Sequence, residues 1–312
     1  EALVASCSPN VAVPRGLVEA MTGVRWRRVA DEGVNASDLA AAAGRRVLDE
    51  TGVDPASVEL LIFASASQDM LEPATANMVQ EKVGTACPVF DVKNACNSFL
   101  CGLQAGEALV LTGSARSVLV TTGEIPSRSI KWTVESRTDL KSSFPGYILG
   151  DAGAAALLVA SDDERGILHR SFQTVSRYWH LATIPGGGSA HPRGDEYSYF
   201  QSNGSALRDA FVEMGTGPIQ RVLDATATTF EDYRCILVHQ VALPYLKAFL
   251  AATGVPEDRV QVTLPELGNI ASATLPVGFA QAEAMGRVAE GDLALWIGLA
   301  SGISAGVIAM RY

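Results

Sequence analysis

VFDVKNACNSFLCGLQA, which spans residues 89–105, is the segment from which the architecture of this chain can be worked out. An apolar run ends at a polar pair, a cysteine follows, and Phe99 and Leu103 then begin a helical spacing of apolar residues. This pattern predicts a strand, a sharp turn and a buried helix, with Cys96 at the helix N-terminus. The N–H groups and the positive dipole end at that place favour a thiolate, which a cysteine nucleophile requires. The alternative is a buried structural cysteine, which is the role expected for Cys101.

The composition excludes several classes of protein. The chain has 312 residues, of which 48% are apolar and 19% charged, so it can bury a large core in one or two domains. A net charge of -10 argues against nucleic-acid binding, which needs a basic surface. No apolar run suits a membrane span and no basic start leads into an apolar signal core, so we expect a cytoplasmic protein. Five cysteines without a C-x-x-C pair suit unbridged thiols, and four scattered histidines offer little for a metal site.

Buried strands alternate with helices along the chain, which predicts an α/β fold. An amphipathic helix is predicted over residues 36–51, and residues 58–64 form a predicted strand that is apolar on both faces. Further strands are predicted over residues 117–122 and 152–160.

The second half of the sequence repeats the first. Residues 46–49 and 61–63 line up without a gap with residues 221–224 and 236–238 at an offset of 175, and residues 107–108 and 118–120 line up with residues 283–284 and 294–296 at an offset of 176. The chain is therefore predicted to be two fused copies of one α/β unit, residues 1–163 and 164–312. We expect the functional site near the pseudo-two-fold axis, where equivalent loops meet.

The duplication also relates the polar residues to one another. At the offset of 176, Ser272 is the counterpart of Cys96, so the loop that carries Asn269 and the Cys96 turn occupy related places. His239 follows a predicted strand whose counterpart in the first half ends at Ala64. All of these groups lie at the ends of buried strands, where ligands of α/β sheets bind.

Five motifs occur in order along the chain: NAC at residues 94–96, GDAGAA at 150–155, VHQ at 238–240, GNIASA at 268–273 and ASGISAG at 300–306. The ordered set resembles the thiolase superfamily, in particular condensing enzymes similar to β-ketoacyl-acyl-carrier-protein synthase III, over nearly the whole chain. The resemblance implies a thiolase fold, in which duplicated α/β halves form a five-layered αβαβα pseudo-dimer. It also implies a homodimeric acyltransferase that takes an acyl-CoA or an acyl carrier protein as its thioester and needs neither a metal nor another cofactor.

By the same resemblance, Cys96 is the nucleophile that takes an acyl group from a thioester. His239 and Asn269 would donate hydrogen bonds to the thioester oxygen of the second substrate as its enolate forms. The backbone N–H groups of Cys96 and Gly302 would form the oxyanion hole of the acyl-transfer steps. The alternatives are a capping histidine at a strand end and a turn asparagine after Gly268.

Glu72 departs from the usual synthase III pattern, in which the residue before this proline is apolar and reaches into the partner's acyl pocket. If Glu72 enters the partner's site, an acidic group stands beside that subunit's Cys96, where it repels a malonyl carboxylate and can remove a Cα proton. The Asp69-x-x-Glu72-Pro73 arrangement is similar to the branch that condenses two acyl-CoAs head to head without decarboxylation, in olefin and β-lactone biosynthesis. We therefore expect a β-keto product from two acyl thioesters. The flanking Leu71 and Pro73 predict a loop that packs.

The usual residues for coenzyme A binding are absent, because Leu17 and Met21 stand where many family members have Trp and Arg. Arg25, Arg28 and Lys141 are the alternative ligands for its phosphates. Three competing functions stay open: decarboxylative condensation with a malonyl thioester, acyl transfer to a natural-product hydroxyl or amine, and a silent subunit beside an active partner.

Overall fold

A computed structural model describes residues 2–161 and 163–312 of the chain. The helices are α1 (Ala2–Cys7), α2 (Leu17–Thr22), α3 (Ala36–Thr51), α4 (Thr75–Val83), α5 (Ser98–Leu111), α6 (Arg137–Ser143), α7 (Gly204–Met214), α8 (Gly217–Thr226), α9 (Leu243–Thr253), α10 (Leu264–Leu267) and α11 (Thr274–Ala284). The strands are β1 (Leu60–Ala64), β2 (Val89–Val92), β3 (Ser117–Glu124), β4 (Ala152–Val159), β5 (Gly166–Thr174), β6 (Ala182–Thr183), β7 (Gln201–Ser202), β8 (Cys235–Val238), β9 (Leu293–Ala300) and β10 (Ser304–Arg311). The predicted helix and strands of the first half are confirmed, each end within two residues of its predicted position. Within the described residues, no helix combines the length and the apolar character that a membrane crossing needs.

Two four-stranded sheets carry the fold in the described part of the chain. In the first sheet the order is β2-β1-β3-β4; β1 pairs in parallel with β2 and β3, and β4 pairs antiparallel with β3. In the second sheet the order is β5-β10-β9-β8; β8 pairs in parallel with β9, and β10 is antiparallel to both of its neighbours. The carboxyl ends of β2, β1 and β3 therefore meet at one edge of the first sheet, and those of β8 and β9 meet at the corresponding edge of the second.

The duplication is visible in the elements themselves. β3 and β9 begin and end at positions 176 apart, and the first residues of α5 and α11 are separated by the same interval. In each half an alanine with a positive φ angle stands three residues before the helix, Ala95 at 47° and Ala271 at 48°. Positive φ is uncommon for residues other than glycine, so the halves share an unusual turn as well as their strands. The prediction of two copies of one α/β unit is confirmed.

Helices and sheets alternate in five layers. α3 and α4 cover the outer face of the first sheet, where Leu61, Phe63 and Leu119 are buried. α5 and α11 lie between the sheets, and the largest core joins their residues Phe99 and Leu275 to the inward-facing side chains of both sheets. α8 and α9 cover the outer face of the second sheet. The predicted αβαβα layering is confirmed, and it fixes the start of α5 at the edge where the parallel strands end.

Candidate active site

The Cys96 turn joins β2 to α5. β2 ends four residues before Cys96, Asn97 is the N-cap, and α5 begins at Ser98, so the predicted strand, turn and helix are confirmed. The Ser98 hydroxyl accepts a hydrogen bond from the Asn94 N–H at 2.8 Å and donates one to the Ala95 carbonyl at 2.7 Å. These two bonds close the turn around Ala95, which has the positive φ angle.

Opposing effects act on the pKa of the Cys96 thiol. Burial, and then the nearby negative charge of Glu124, raise the pKa of this thiol to about 12, whereas its own backbone N–H lowers it. Desolvation thus opposes the thiolate that the helix start favours, and the resting thiolate stays a prediction. Cys101, one turn further on, accepts a bond from the Asn94 amide at 3.2 Å, and burial raises its pKa as well.

His239 follows β8 and is neutral. Its backbone N–H donates to the Ile297 carbonyl at 2.9 Å, which extends the pairing of β8 with β9 by one residue. The residue is 7% exposed, and desolvation lowers the pKa of the imidazole to about 4. Neither ring nitrogen has a hydrogen-bond partner within the described residues. Because a neutral imidazole carries one N–H donor and one acceptor, the ring is able to donate to a substrate oxygen, unlike a histidine that caps a strand.

The loop that carries Asn269 is fixed by backbone bonds on both sides. The Asn269 N–H donates to the Ile148 carbonyl at 2.7 Å, and its carbonyl accepts from the Gly150 N–H at 3.0 Å. A Cβ on Gly150 would lie 2.2 Å from the Leu267 carbonyl oxygen, which explains the glycine that opens the GDAGAA motif. The side-chain oxygen of Asn269 accepts from the Ala271 N–H at 3.0 Å. That bond leaves the NH2 group as the part of the amide that is available to donate.

Contacts between the halves join the Cys96 turn to His239. The Asn97 amide donates to the carbonyl and the hydroxyl of Ser304 at 3.1 and 3.0 Å, which ties the turn to β10. Gly298 follows the residue of β9 that bonds the His239 N–H, and a Cβ on Gly298 would lie 2.1 Å from the Asn97 side-chain oxygen. The missing side chain lets Asn97 pack directly on β9, so the turn and His239 contact adjacent residues of one strand.

Gln240 joins His239 to the Asn269 loop. Its buried amide donates to the Gln261 carbonyl at 2.7 Å and accepts two backbone N–H bonds at the start of α10, at 3.0 and 3.1 Å. α10 ends two residues before Asn269. With the contacts of the Cys96 turn, these bonds link the segments that carry Cys96, His239 and Asn269, of which Asn269 follows α10 and not a strand.

Gly302 lies in the turn between β9 and β10, with a φ of 77°. A Cβ at this position would meet no described atom within 4 Å, so the space above the turn is open. The turn is held beside the nucleophile, because Ser304, two residues further on, accepts the Asn97 bonds. The backbone N–H groups of Cys96 and Gly302 thus belong to neighbouring turns.

Glu72 lies on an exposed loop that leads into α4. Leu71 is 69% exposed and Pro73 is exposed as well, so the loop does not pack on its own chain, and its packing on a partner stays a prediction. The base of the loop is nevertheless fixed, because the Asp69 carboxylate accepts bonds from the Ser37 N–H and hydroxyl. Placement of Glu72 in a partner's site stays a prediction, since one chain is described.

A cavity of about 230 Å³ lies beside the segment that holds Asn269. It is lined by Val4, Val13, Gly16, Leu17, Val18, Glu19, Val24, Arg25, Arg27, Trp132, Leu140, Phe144 and Tyr147. Of the three cations predicted to bind coenzyme A, Arg25 lines the cavity, whereas Arg28 and Lys141 are exposed outside it. The lining combines apolar side chains with three charged ones, Glu19, Arg25 and Arg27. No group of three or more His, Cys, Asp or Glu within residues 2–161 and 163–312 is arranged to hold a metal ion.

Arg27 is a cavity residue that the sequence did not single out. Its guanidinium lies 5.9 Å from the centre of the Trp132 ring and donates to the Leu149 carbonyl at 3.0 Å. Its aliphatic stem packs close to Gly268, where a Cβ would lie 3.0 Å from Cγ of Arg27. Only this pairing with Trp132 and the Asn269 loop, which are distant in sequence, distinguishes Arg27 from its arginine neighbours.

Glu124 is a second residue that sequence reasoning missed. It ends β3, is 0% exposed, and accepts bonds from the N–H groups of Ala66 and Ser67 at 2.8 and 3.1 Å. The hydroxyls of Ser67 and Ser272 also donate to this carboxylate, and the Ser272 hydroxyl pairs with Thr122 at 2.7 Å. In the sequence, the feature that could have identified Glu124 is a single carboxylate at the carboxyl end of an apolar strand.

Sequence comparisons find two matching family models. The model described as 3-oxoacyl-[acyl-carrier-protein] synthase III matches residues 90–176, and the C-terminal model of the same family matches residues 223–312. β-Ketoacyl-[acyl-carrier-protein] synthase III of Neisseria meningitidis serogroup C is 30% identical over 297 residues, which cover 95% of this chain and 90% of that protein. The protein of the same name from Methylococcus capsulatus is 30% identical over 292 residues, 93% of this chain and 88% of the relative.

Solved structures share the architecture. FabH, the 3-oxoacyl-(acyl carrier protein) synthase III of Pseudomonas aeruginosa, is 25% identical with a TM-score of 0.85 over 99% of this chain and 92% of its own. A cysteine-to-serine variant of Xanthomonas campestris OleA with bound lauric acid and lauroyl-CoA is 22% identical, with a TM-score of 0.89 over 100% of this chain and 93% of that chain. The OleA likeness concerns the fold alone.

Proposed function

Because this chain belongs to the 3-oxoacyl-[acyl-carrier-protein] synthase III family of thiolase-fold condensing enzymes, we propose that it joins two acyl-CoAs by a non-decarboxylative Claisen condensation. One observation carries the proposal: a cysteine at a helix start is linked through its neighbours to a histidine and an asparagine whose side-chain donors have no partner among the described residues. A thioester condensation needs such a nucleophile and such donors. The presence of all three groups also argues against a silent subunit.

In the first step, Sγ of Cys96 bonds to the carbonyl carbon of an acyl-CoA. The carbon–sulfur bond to coenzyme A breaks, and the thiol proton ends on the departing coenzyme A sulfur. The N–H groups of Cys96 and Gly302 donate to the oxygen that becomes negative as the tetrahedral intermediate forms. Because the pKa of the free thiol is raised to about 12, thioester binding and proton loss must be coupled.

In the second step, a Cα proton of another acyl-CoA passes to Glu72 of the partner subunit. His239 and the NH2 group of Asn269 donate hydrogen bonds to the enolate oxygen. Because the pKa of His239 is lowered to about 4, its imidazole is neutral, and it therefore donates a hydrogen bond and does not transfer a proton. The enolate carbon then bonds to the acyl carbon on Cys96, the carbon–sulfur bond to Cys96 breaks, and a β-ketoacyl-CoA leaves. The proton held by Glu72 ends on the Cys96 sulfur, which restores the thiol.

Exposed surface around Glu72 supports the homodimer that this step needs. β2 is an edge strand, and Phe90 on it is 36% exposed, beside the loop in which Met70 and Leu71 are 49% and 69% exposed. The start of α4, which follows the loop, is tied to this strand because Asp91 accepts two of its N–H groups. An apolar edge strand next to an exposed apolar loop is suited to pairing with a second copy.

The cavity supports a coenzyme A thioester as the substrate. Arg25 and Arg27 supply positive charge beside apolar lining residues such as Leu17, which suits a phosphate-bearing carrier with an apolar arm. The same fold in OleA holds lauroyl-CoA. Arg25 is paired with Glu266 on the surface, so phosphate binding there competes with an ion pair.

Decarboxylative condensation with a malonyl thioester is the second candidate. The relatives at 30% identity are named β-ketoacyl-[acyl-carrier-protein] synthase III, and Glu72 is exposed in the single chain. If no partner covers Glu72, the carboxylate has no role at the site, and this reaction follows.

Mass spectrometry of products separates the two candidates. We expect the protein with a long-chain acyl-CoA alone to give a β-ketoacyl-CoA, or the β-keto acid and ketone derived from it. Glu72→Ala should abolish this product, whereas Glu81→Ala, which removes another exposed carboxylate on α4, should not. Product that appears only with added malonyl-CoA and is indifferent to Glu72 would instead establish decarboxylative condensation.

A further inference from the structure

Arg27 lies between the cavity and the loop that carries Asn269. Its side chain lines the cavity, and its guanidinium lies 5.9 Å from the centre of the Trp132 ring, which lines the cavity as well. On its other side, the aliphatic stem occupies the space next to Gly268, where a Cβ would lie 3.0 and 3.4 Å from Cγ and Cδ of Arg27. Because Gly268 directly precedes Asn269, one side chain contacts both the cavity and the Asn269 loop.

A single peptide group joins the guanidinium of Arg27 to the backbone of Asn269. The Leu149 carbonyl accepts the Arg27 bond at 3.0 Å, and the N–H of the same peptide, which belongs to Gly150, donates to the Asn269 carbonyl at 3.0 Å. A peptide group is planar, so its C=O and N–H turn together, and a bond to the C=O also strengthens the bond of the N–H. A shift of the guanidinium is therefore transmitted to Asn269 through two hydrogen bonds.

The guanidinium of Arg27 keeps donors for an anion. Within the described residues, its one hydrogen bond goes to Leu149, which leaves its other N–H groups free to donate. Burial lowers the pKa of Arg27 and the charge of Asp151 raises it, but the Asp151 carboxylate accepts its own bonds from backbone N–H groups and a hydroxyl. Arg25, by contrast, is paired with Glu266. A planar guanidinium that faces a cavity is suited to bind a phosphate.

We propose that Arg27 is a positioning residue that couples the binding of coenzyme A phosphates in the cavity to the placement of Asn269 for the second step. The inference rests on the proposed function, in which the NH2 group of Asn269 donates to the enolate oxygen. A phosphate bonded to Arg27 holds the guanidinium in place, and with it the peptide group that bonds the Asn269 backbone. The first step needs no such coupling, because it uses the N–H groups of Cys96 and Gly302.

The test compares two thioesters of one acyl group, acyl-CoA and acyl-N-acetylcysteamine, of which the second has no phosphates. Cys96 is first acylated with the N-acetylcysteamine thioester and the excess is removed, and each thioester is then added at a saturating concentration. Mass spectrometry measures the β-keto product and the acylated protein. In the unmodified chain we expect condensation to be about ten-fold faster with acyl-CoA, within the usual range of coupling between two sites. Arg27→Gln should reduce this ratio to about two-fold or less, while acylation of Cys96 stays within about two-fold.

Arg259→Gln is the matched control. Arg259 is also half-buried and donates to a main-chain carbonyl, that of Tyr233 at 3.4 Å, but it lies near the start of β8, at the opposite end of that strand from His239. This variant should keep the ratio of the unmodified chain, because it removes the same charge and a similar bond without contact with the cavity. An unchanged ratio in folded Arg27→Gln, or an equal fall in Arg259→Gln, would overturn the proposal.

A measurement on the unmodified chain covers the case in which Arg27→Gln fails to fold. Adenosine 3′,5′-bisphosphate supplies phosphates without the thioester arm, so it should speed condensation of the N-acetylcysteamine thioester several-fold and leave acylation of Cys96 unchanged. Failure to speed condensation, whether or not the bisphosphate competes with acyl-CoA, would overturn the proposal. A chain whose Cys96 accepts no acyl group from either thioester would instead contradict the proposed function, and with it this inference.

Discussion

Ala95 and Ala271 have φ angles of 47° and 48°, and each stands three residues before a helix that packs between the two sheets. The next residue differs: Cys96 is partly exposed, and within the described chain its thiol bonds only its own backbone N–H. Its counterpart Ser272 is 2% exposed, and its hydroxyl bonds Thr122 and Glu124. One turn geometry therefore serves two purposes, presenting a reactive atom in one half and joining the halves in the other.

The neighbouring positions have diverged in a complementary way. Beside Cys96 stands the large Asn97, and the strand residue it contacts is Gly298, which leaves room for it. At the offset of 176 these two positions correspond to Ala273 and Thr122, so the small and large residues have exchanged places. The comparison teaches that the duplicated backbone sets where the turns lie, whereas side-chain volume on the opposing strand decides which turn stays accessible.

The largest effect is expected for loss of the reactive atom. Cys96→Ala should reduce condensation by at least about 10³-fold, because the acyl intermediate cannot form. Release of free coenzyme A and the mass of the intact protein measure the acylation. Cys101→Ala is the matched control, since Cys101 lies one turn further along α5 and should keep full acylation. If Cys96→Ala still gained the mass of an acyl group and Cys101→Ala did not, Cys101 would be the nucleophile.

A smaller and more specific effect is expected for the two side-chain donors, Asn269 and His239. Asn269→Ala and His239→Ala should each reduce condensation by about 10²–10³-fold, the cost of one oxyanion donor. The acylated Cys96 should accumulate in both variants, because these donors act in the second step. The mass of the intact protein during turnover shows whether acylated Cys96 accumulates. Equal loss of acylation and condensation would place His239 and Asn269 in the first step instead.

Filling the space opposite Asn97 tests the divergence directly. Gly298→Ala adds a Cβ that would lie 2.1 Å from the Asn97 oxygen and 2.6 Å from Leu100, so Asn97 must give up its Ser304 bonds or the strand must shift. We expect a loss of about 1–3 kcal/mol in the free energy of unfolding, with slower acylation of Cys96. Denaturant titration measures the loss. Gly188→Ala, at an exposed site where a Cβ meets nothing within 4 Å, should be neutral.

The sequence was sufficient to predict the features that depend on a local pattern of residues. The strand, turn and helix around Cys96 and the two copies follow from apolar periodicity and internal repetition. The layering was implied by the family resemblance, and the structure confirms all of these predictions. The motifs also located His239 at the end of β8, whereas the strand end predicted for Asn269 is wrong, because Asn269 follows the short helix α10. Such features are local because each is determined by residues that are neighbours in the chain or related by one offset.

The properties that failed or were missed depend on residues distant in sequence. A helix start alone predicts a thiolate at Cys96, whereas burial between layers and the charge of Glu124 raise the pKa of this thiol. Arg27 gains its place at the cavity from Trp132, over a hundred positions away. The packing predicted for the Glu72 loop depends on a partner chain and stays a prediction, because the loop is exposed on its own chain.

The smallest effect is expected on the turn that has no reactive atom. Ser272→Ala removes one of four donors to Glu124 and the partner of Thr122, and we expect a loss of about 1 kcal/mol in the free energy of unfolding. Because the charge of Glu124 and its other three donors remain, acylation of Cys96 should stay within about two-fold of the unmodified chain. Thermal unfolding and coenzyme A release measure the two quantities separately. Loss of acylation as severe as that of Cys96→Ala would mean that both turns contribute to the chemistry, and the division of labour between the halves would be wrong.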